Sequence, residues 1–544
     1  MKKHLPVRLL SLLLVVALLA GFAVPVTAAD TRSNVTFTQV DNSQVSASLL
    51  APKAGDSSEA KAYADTDVVR VSIVLEEKST VEVGFSTHDI ASNVEAMAYR
   101  DDLQEKQQAV TTAIEKKMGQ KLDVVWNLTL AANIISANVT YGQIEAIEAT
   151  AGVEKVLIET QYQPDVVSKD ETAQPNMATS PEQIGSSAAW AAGYTGAGSR
   201  IAVIDTGTDL NHQAFNEAAF LYSMNYLAGT KGVTLEEYMA SLDLLDAEEI
   251  ASVAGELNVD IEADQVYRTT KAPFGYNYVD GDYDILHIND MQGEHGSHVA
   301  GIATANAYIP DGEGTFKRAL SSSMVQGVAP DAQLLIMKVF GKAGGAYDSD
   351  YIAAIEDAII LGCDSVNLSL GSGNPGNSRN TTAEYQEILE NLTESGTVVA
   401  MSAGNAGAWA NYANTFQGYL YADDVSFQTN GSPGSFTNSL SVASVNNDGT
   451  VGAYIVVDDQ MMIYTESQYR NQPFTTIAGE HEYVFIDGFG SMAEWAVAGD
   501  ALKGKIAICS RGNINFYEKA SYAVYKGAIG TLIYNNAPVS SIWT

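Results

Sequence analysis

A carboxylate, an imidazole and a carboxamide occur in this chain in settings that suit acyl-transfer chemistry. Asp205 follows the apolar run 201–204, His295 lies within Gly-Glu-His-Gly-Ser-His, and Asn405 follows Ser-Ala-Gly. A hydroxyl nucleophile is inert at neutral pH unless an imidazole accepts its proton, and a buried carboxylate holds that imidazole in the required tautomer. An amide donor then stabilises the oxyanion that forms. The three side chains therefore predict hydrolysis at an acyl centre.

The elements that must position these side chains follow a strand and helix alternation. Apolar runs at 201–204, 334–340, 366–370 and 397–401 predict buried strands, and helices are predicted before Gly362 and over 383–394. This alternation indicates an α/β fold, with a doubly wound and mainly parallel sheet. Ligands of such sheets bind beyond the carboxyl ends of the strands, which is where Asp205 and Asn405 are expected.

A separate unit is predicted over residues 60–165, ahead of the alternating region. Strands are predicted at 69–75, 122–130, 134–139 and 153–158, and helices at 90–118 and 141–150. The order β-α-β-β-α-β is the ferredoxin-like α+β plan. Residues 166–182 are rich in Asp, Ser, Thr, Pro and Gln without periodicity, so they are predicted to form an exposed linker that is open to processing.

The N-terminus predicts export. Basic residues at positions 2, 3 and 8 precede an apolar run over 9–24 and the small residues Ala28 and Ala29, which is the pattern of a secretory signal over 1–28. No later segment approaches the length of a membrane span, so none is expected after signal removal. A secreted location follows, with attachment to a cell wall left open.

Charge and cysteine content exclude several classes of function. The formal net charge is −36, which repels phosphate backbones, so nucleic acid is not expected as a partner. Cys363 and Cys509 each lie in an apolar stretch and are predicted to be buried free thiols. Because no CxxC pair or Cys/His cluster occurs, a zinc-dependent hydrolase lacks its ligands.

Four segments, taken together and in order, resemble the subtilisin-like serine peptidases (subtilases, peptidase family S8), and in particular the large cell-envelope type. They are 202–207, 295–301, 366–371 and 402–405. The resemblance implies that Asp205 orients, that His295 is general base and acid, and that Asn405 is the oxyanion donor. It assigns substrate binding to Ser369, Leu370, Gly371 and Gly404. The peptidase domain is then expected over 183–450.

Two details depart from the pattern of the family. Ser297 replaces the commoner threonine, and Asp205 and His295 lie 90 positions apart, which predicts an insertion over about 217–282. His298, three positions from His295 on a predicted helix, is expected to support the site structurally.

The family carries its serine nucleophile in the motif Gly-Thr-Ser-Met-Ala-x-Pro. This motif does not occur in the chain. The nearest string includes Ser491 but lacks the flanking threonine and proline. Residues 451–544 resemble part of a β-rich protease-associated domain, an insert that some relatives carry before the serine; a generic β/α module is the alternative. The sequence therefore favours a chain truncated before its nucleophile and nearly inactive by itself.

The resemblance implies a secreted serine endopeptidase that acts on proteins or peptides through an Asp/His/Ser triad. The N-terminal unit would be a propeptide that inhibits its own peptidase, the alternative being a permanent accessory domain. No cofactor is expected to be required; structural calcium is compatible with the family, but its ligands are not identified. A second hypothesis is a non-catalytic secreted protein that binds polypeptides in the same cleft.

Overall fold

The structure is a computed structural model, and it describes residues 63–164, 177, 179–323, 325–371, 383–404, 432–436, 440–445, 447, 453–457, 459–464, 466, 473–512 and 514–535. The predicted signal over 1–28, Asn405 and most of the 166–182 linker lie outside these residues.

The N-terminal unit, called here the N-terminal module, covers the described residues 63–164. Its elements are β1 (Val68–Leu75), α1 (Val94–Met118), β2 (Asp123–Leu128), β3 (Ile134–Thr140), α2 (Ile144–Glu148), β4 (Val153–Ile158) and the short β5 (Gln163–Pro164). The first four strands form an antiparallel sheet in the order β2-β3-β1-β4. The element order through β4 is the β-α-β-β-α-β order that the sequence predicts.

Helix α1 begins four residues later than predicted because Asn93 caps it. The Asn93 side chain accepts hydrogen bonds from the backbone N–H groups of Glu95 (3.1 Å) and Ala96 (3.2 Å). These are donors that the first turn of a helix cannot satisfy internally. Gly119, at φ +72°, ends the helix in the left-handed conformation that glycine adopts without strain.

The peptidase region follows the linker and alternates strands with helices. Its first part contains α3 (Ser180–Gln183), α4 (Ser186–Ala191), β6 (Arg200–Asp205), α5 (Glu217–Lys231), α6 (Leu235–Ala240), α7 (Ala247–Val253), α8 (Ala263–Val266) and β7 (Phe274–Asn277). Its second part contains α9 (His295–Thr304), β8 (Tyr308–Pro310), β9 (Phe316–Arg318), α10 (Ala319–Ser323), β10 (Gln333–Lys338), α11 (Asp348–Ile360), β11 (Ser365–Leu368), β12 (Leu370–Gly371), α12 (Ala383–Ser395), β13 (Val398–Ser402) and β14 (Leu440–Val442).

Six of these strands form one parallel sheet, in the order β14-β13-β11-β6-β10-β7. Alternate side chains of β6 enter two different cores: Ala202 and Ile204 pack with α11, whereas Val203 packs with Ala300 of α9. Every residue of β10 is buried, as expected for a central strand covered on both faces. The predicted α/β fold with a mainly parallel sheet is confirmed.

Two predicted boundaries change in the structure. The insertion expected over 217–282 includes β7, which pairs with β10 at the edge of the main sheet, so the extra helical segment ends before Phe274. The single strand expected over 366–370 is interrupted at Ser369, after which Leu370–Gly371 pairs with β5 instead of continuing in the main sheet.

The C-terminal described region forms a smaller layered unit. It contains β15 (Tyr454–Val457), β16 (Gln460–Ile463), β17 (Tyr483–Phe485), α13 (Met492–Ala498), β18 (Ile506–Ser510), α14 (Phe516–Tyr525) and β19 (Gly530–Tyr534). The last three strands form a parallel sheet, and both helices pack into its core around Trp495 and Cys509. The region is thus more helical than the predicted β-rich insert.

Candidate active site

Asp205 lies at the carboxyl end of β6, in the middle of the parallel sheet. Its side chain is 1% exposed. The backbone N–H of Thr206 donates to Asp205 Oδ1 at 2.7 Å. The neighbouring strand aligns Lys338 with Asp205, and Val339 N–H donates to the Asp205 carbonyl at 2.9 Å. The carboxylate is therefore held by the sheet itself, at the edge where the sequence predicts a site.

His295 is the first residue of α9 and meets this carboxylate. Its Nδ1 lies 2.8 Å from Asp205 Oδ1 and 3.0 Å from Oδ2. A carboxylate only accepts hydrogen bonds, so the pairing places the ring proton on Nδ1 and makes Nε2 the basic nitrogen. The imidazole is 15% exposed, compared with 1% for its partner. The structure thus brings together the predicted base and its predicted orienting group.

Two glycines permit this approach between α9 and the turn after β6. A Cβ on Gly296 would lie 2.3 Å from the Gly207 carbonyl oxygen, and Gly207 itself has φ +98°. Between them, the Thr206 hydroxyl donates to the Gly293 carbonyl at 3.0 Å and accepts from Gly296 N–H at 2.8 Å. Small residues at 207 and 296 are therefore a steric condition for the pairing of Asp205 with His295.

Ser297 and His298 complete the first turn of α9. Ser297 Oγ accepts a hydrogen bond from Asp209 N–H at 2.9 Å, so this serine, which departs from the commoner threonine, still fastens the loop after β6. Partial desolvation, and then the nearby charge of His295, lower the pKa of His298 below its ordinary value. The residue is exposed on the surface of α9, and the lowered pKa favours the neutral imidazole, which agrees with a supporting role.

A buried ion pair beside the site was not expected from the sequence. Lys338 Nζ donates to the Thr206 carbonyl and to Asp290 Oδ2, at 2.6 Å each, and the two side chains are 1% and 2% exposed. The pair links β10 to the turn that carries Asp205. A lysine directly after the apolar run 334–337 is the signal in the sequence that could have drawn attention to it.

The predicted substrate-binding residues lie along the same sheet edge. Ser369 Oγ accepts from Asn367 Nδ2 at 2.9 Å, and the Leu370 carbonyl accepts from Ser402 Oγ at 3.1 Å. Leu370 and Gly371 pair antiparallel with Pro164 and Gln163 of the N-terminal module. An extended segment of the chain itself therefore occupies the edge that the sequence assigns to substrate.

Gly404 and Asn405 are the remaining residues predicted for the site. Gly404 follows β13 at φ +79°. Asn405, the expected oxyanion donor, lies outside the described residues, so its role stays a prediction.

Ser491 acts as a helix cap in the structure. Its Oγ accepts a hydrogen bond from Glu494 N–H at 3.2 Å, and its own N–H donates to Glu494 Oε2 at 2.7 Å. These two bonds form the reciprocal capping box at the start of α13. The presence of serine at this position is thus explained by local structure.

Cys363 and Cys509 are both buried and free, as predicted. Burial raises the pKa of Cys509 to about 11, so this thiol is a poor nucleophile. Within the described residues, no three His, Cys, Asp or Glu side chains gather in a group that could hold a metal ion. Nor does any helix in that part of the chain have the length and apolar character needed to cross a bilayer.

The amino-acid sequence is similar to those of known proteinases. The PII-type proteinase of Lacticaseibacillus paracasei is 30% identical over 480 residues, which cover 85% of this chain and 22% of that protein. The minor extracellular protease Vpr of Bacillus subtilis (strain 168) is 28% identical over 382 residues, covering 68% of this chain and 36% of that protein. The chain spans about a quarter of the length of the first curated relatives.

A solved structure, the epidermin leader peptide processing serine protease of Staphylococcus aureus, matches at 17% identity and a TM-score of 0.38, covering 69% of each chain. The family model of the subtilases, Peptidase_S8, matches residues 196–525. That match takes in Asp205, His295 and the strands that position them. The chain belongs to the subtilase family of serine peptidases.

Proposed function

We propose that this chain supplies the Asp and His of the catalytic triad in a secreted serine endopeptidase that cleaves polypeptides. The observation that carries the proposal is the contact of 2.8 Å between His295 Nδ1 and the buried carboxylate of Asp205, at the carboxyl edge of the parallel sheet. This pairing is the half of a catalytic triad that fixes the tautomer of the base.

In the proposed reaction, His295 Nε2 takes the proton of a serine hydroxyl while the serine oxygen attacks the carbonyl carbon of the scissile bond. Asp205 stabilises the resulting imidazolium without taking its proton. His295 then donates that proton to the leaving amine, and a water molecule repeats the sequence to release the acyl group. Asn405 would donate to the oxyanion in both steps.

The serine is proposed to come from outside these 544 residues, because the family motif does not occur within them. The capping bonds of Ser491 support this assignment, since they account for the one partial match to the motif. Residues 451–544 would then be part of a protease-associated insert between Asn405 and the nucleophile. The first 28 residues support export of the whole protein.

The N-terminal module is proposed to be an intramolecular inhibitor. Its last strand, Gln163–Pro164, pairs with Leu370–Gly371 in the manner of a bound peptide. Masking this edge would keep substrates from the site until the linker over 166–182 is cut and the module leaves.

The proposal is tested on the natural secreted product of the gene, together with the 544-residue chain. The coding sequence beyond codon 544 is read first, and both proteins are then treated with a fluorophosphonate probe. We expect an in-frame Gly-Thr-Ser-Met-Ala-x-Pro, labelling of the natural product that is lost in His295→Ala, and no labelling of the 544-residue chain. A Ser491→Ala variant should leave the labelling of the natural product unchanged.

Two outcomes would overturn the proposal. Stoichiometric labelling of the 544-residue chain at Ser491 would place the nucleophile within it. A genuine stop without the motif, combined with an unreactive product, would favour the non-catalytic polypeptide-binding protein instead.

A further inference from the structure

We propose that the buried carboxyl group of Asp348 makes the substrate cleft selective for a tyrosine at the position that Tyr162 occupies. This position is two residues before the one that pairs with Leu370. The inference rests on the proposed function, because it treats residues 160–164 as standing where a substrate would bind. It adds a specificity-determining residue and the chemical feature that this residue recognises, a phenolic hydroxyl.

Residues 161–164 lie against the peptidase region as an extended peptide. Gln163 and Pro164 pair with Gly371 and Leu370, and one step earlier Tyr162 N–H donates to the Ala346 carbonyl at 2.7 Å. These are backbone contacts, and any peptide of the same extended shape could make them. Selectivity must therefore come from side-chain pockets along this line.

The Tyr162 side chain is buried in one such pocket. The residue is 1% exposed and packs edge to face with Tyr351, with ring centroids 5.8 Å apart at 72°. Its hydroxyl donates to Asp348 Oδ1 at 3.0 Å, and the Tyr351 hydroxyl donates to the same oxygen at 3.0 Å. Burial, and then the charge of Asp348, raise the pKa of Tyr162 well above its ordinary value, so the hydroxyl stays a donor.

The other oxygen of Asp348 recognises the peptide backbone. Thr160 N–H donates to Asp348 Oδ2 at 2.7 Å, so one carboxyl group holds both the main chain and the phenol two residues later. Asp348 is itself fully buried and lies in the first turn of α11. When the module leaves, this buried acceptor loses two of its three donors, and only a peptide with a hydroxyl at the same depth restores both.

Phenylalanine would fill the same apolar space but would leave Asp348 Oδ1 with the Tyr351 hydroxyl as its single donor among these contacts. A site that hydrogen-bonds a hydroxyl discriminates against the analogue that lacks it, because a buried polar group is left underpartnered. Since Tyr351 still donates, we expect a preference of about tenfold to a hundredfold for tyrosine over phenylalanine, which is the free-energy cost of leaving a buried acceptor underpartnered expressed as a ratio.

The first arm of the test uses the 544-residue chain with a cleavage site for an added protease placed within 166–176. After the cut, release of the N-terminal module is followed by size exclusion on dilution. Tyr162→Phe should weaken retention at least tenfold. The matched control is Tyr99→Phe, whose hydroxyl donates to the Lys78 carbonyl within the module and does not reach the peptidase region. In an Asp348→Ala background, which has no side-chain acceptor, the effect of Tyr162→Phe should shrink to under threefold.

The second arm uses the natural secreted product and two quenched fluorescent peptides. One carries the chain's own sequence, Thr-Gln-Tyr-Gln-Pro-Asp-Val-Val, and the other has phenylalanine for tyrosine. We expect kcat/KM to favour the tyrosine peptide about tenfold or more, and the ratio to fall toward one in Asp348→Ala.

The outcomes separate this inference from the proposed function. Equal hydrolysis of the two peptides, or retention unchanged by Tyr162→Phe, would overturn the role of Asp348 while leaving the peptidase assignment in place. If neither peptide is hydrolysed but Tyr162→Phe still releases the module, the proposed function fails and the tyrosine site stands as a binding site.

Discussion

The buried pair of Lys338 and Asp290 determines how firmly the turn carrying Asp205 is held. Both side chains are almost fully inaccessible, and Lys338 Nζ also donates to the Thr206 carbonyl, next to Asp205. A buried charge that loses its partner is far more costly than an exposed one, because no water replaces the lost interaction. The pair should therefore be essential for local stability although it takes no part in the chemistry.

We expect Lys338→Met to lower the free energy of unfolding by about 3 to 5 kcal/mol, since it leaves Asp290 buried and unpaired. Urea unfolding followed by tryptophan fluorescence measures this change. Adding Asp290→Asn should recover part of the loss, because the second substitution removes the uncompensated charge.

The matched control is Lys106→Met, which breaks ion pairs of Lys106 with Glu77 and Asp102 at the surface of α1. These side chains are about half exposed, so the unfolding midpoint should not change measurably. Equal destabilisation by Lys338→Met and Lys106→Met would show that burial of the pair is unimportant.

Sequence motifs identified Asp205 and His295 because each follows a strand or opens a helix within a short recognisable string. They did not identify Lys338, Asp348 or Tyr162. Lys338 and Asp290 lie 48 positions apart, and Tyr162 and Asp348 lie 186 positions apart. Such pairs depend on how distant segments dock, for which local sequence carries no pattern.

Helix α11 is buried along its whole length, yet it carries four carboxyl groups, at positions 348, 350, 356 and 357. Each is hydrogen-bonded: Asp357 accepts from Asn258 N–H at 2.7 Å and from the Tyr278 hydroxyl at 3.0 Å. The apolar spacing of Ile352, Ile355 and Ile359 predicted the helix. It did not predict complete burial, because acidic residues normally mark a solvated face.

Burial raises the pKa of Asp357 to about 7, which makes stability depend on pH. A carboxyl group whose pKa is higher in the folded state stabilises the fold when it is protonated. Its contribution to the free energy of unfolding is therefore full below its ordinary pKa and is lost as pH rises through about 7. Asp357→Asn removes this titration. The free energy of unfolding of the parent, minus that of the variant, should therefore decrease as the pH rises from 5 to 8.

Urea unfolding at both pH values measures that difference. Comparing parent with variant cancels the opposite effect of Lys271, whose pKa burial lowers to about 7. Asp101→Asn, on the exposed face of α1, is the control and should give the same difference at both pH values. A parent that gains stability relative to Asp357→Asn on going to pH 8 would contradict the assigned direction.

On the scale of the whole molecule, the N-terminal module is joined to the peptidase region by hydrogen bonds as well as by the strand in the cleft. Trp126 Nε1–H donates to Asp350 at 2.8 Å, and Ser349 Oγ donates to Glu159 at 2.8 Å. The β-α-β-β-α-β order and the alternating sheet were both readable from periodicity. The surface that joins them was not, because it combines polar side chains with apolar contacts, such as Trp126 packed against Tyr278, that the sequence places on no recognisable face.

Glu356 tests this interface directly, because its carboxyl group connects α11 to two other segments of the chain. Its Oε1 accepts from the backbone N–H groups of Leu130 (2.9 Å) and Ala131 (2.7 Å) in the module. Its Oε2 accepts from Asn258 Nδ2 at 3.1 Å, in the helical segment inserted between β6 and β7. The inserted segment between Asp205 and His295 thus contacts and stabilises Glu356, the residue on which the module docks.

We expect Glu356→Ala to weaken retention of the module at least tenfold after the linker is cut. The substitution leaves the backbone donors of residues 130–132 without this acceptor, at a cost of about 1 to 3 kcal/mol for each strong bond lost. Glu356→Gln keeps one oxygen for those donors and should lose less. Lys121→Ala, which removes an exposed pair with Glu115 within the module, should change nothing. If Glu356→Ala and Lys121→Ala retained the module equally, the strand in the cleft alone would account for docking, and the inserted segment would have no part in holding the module.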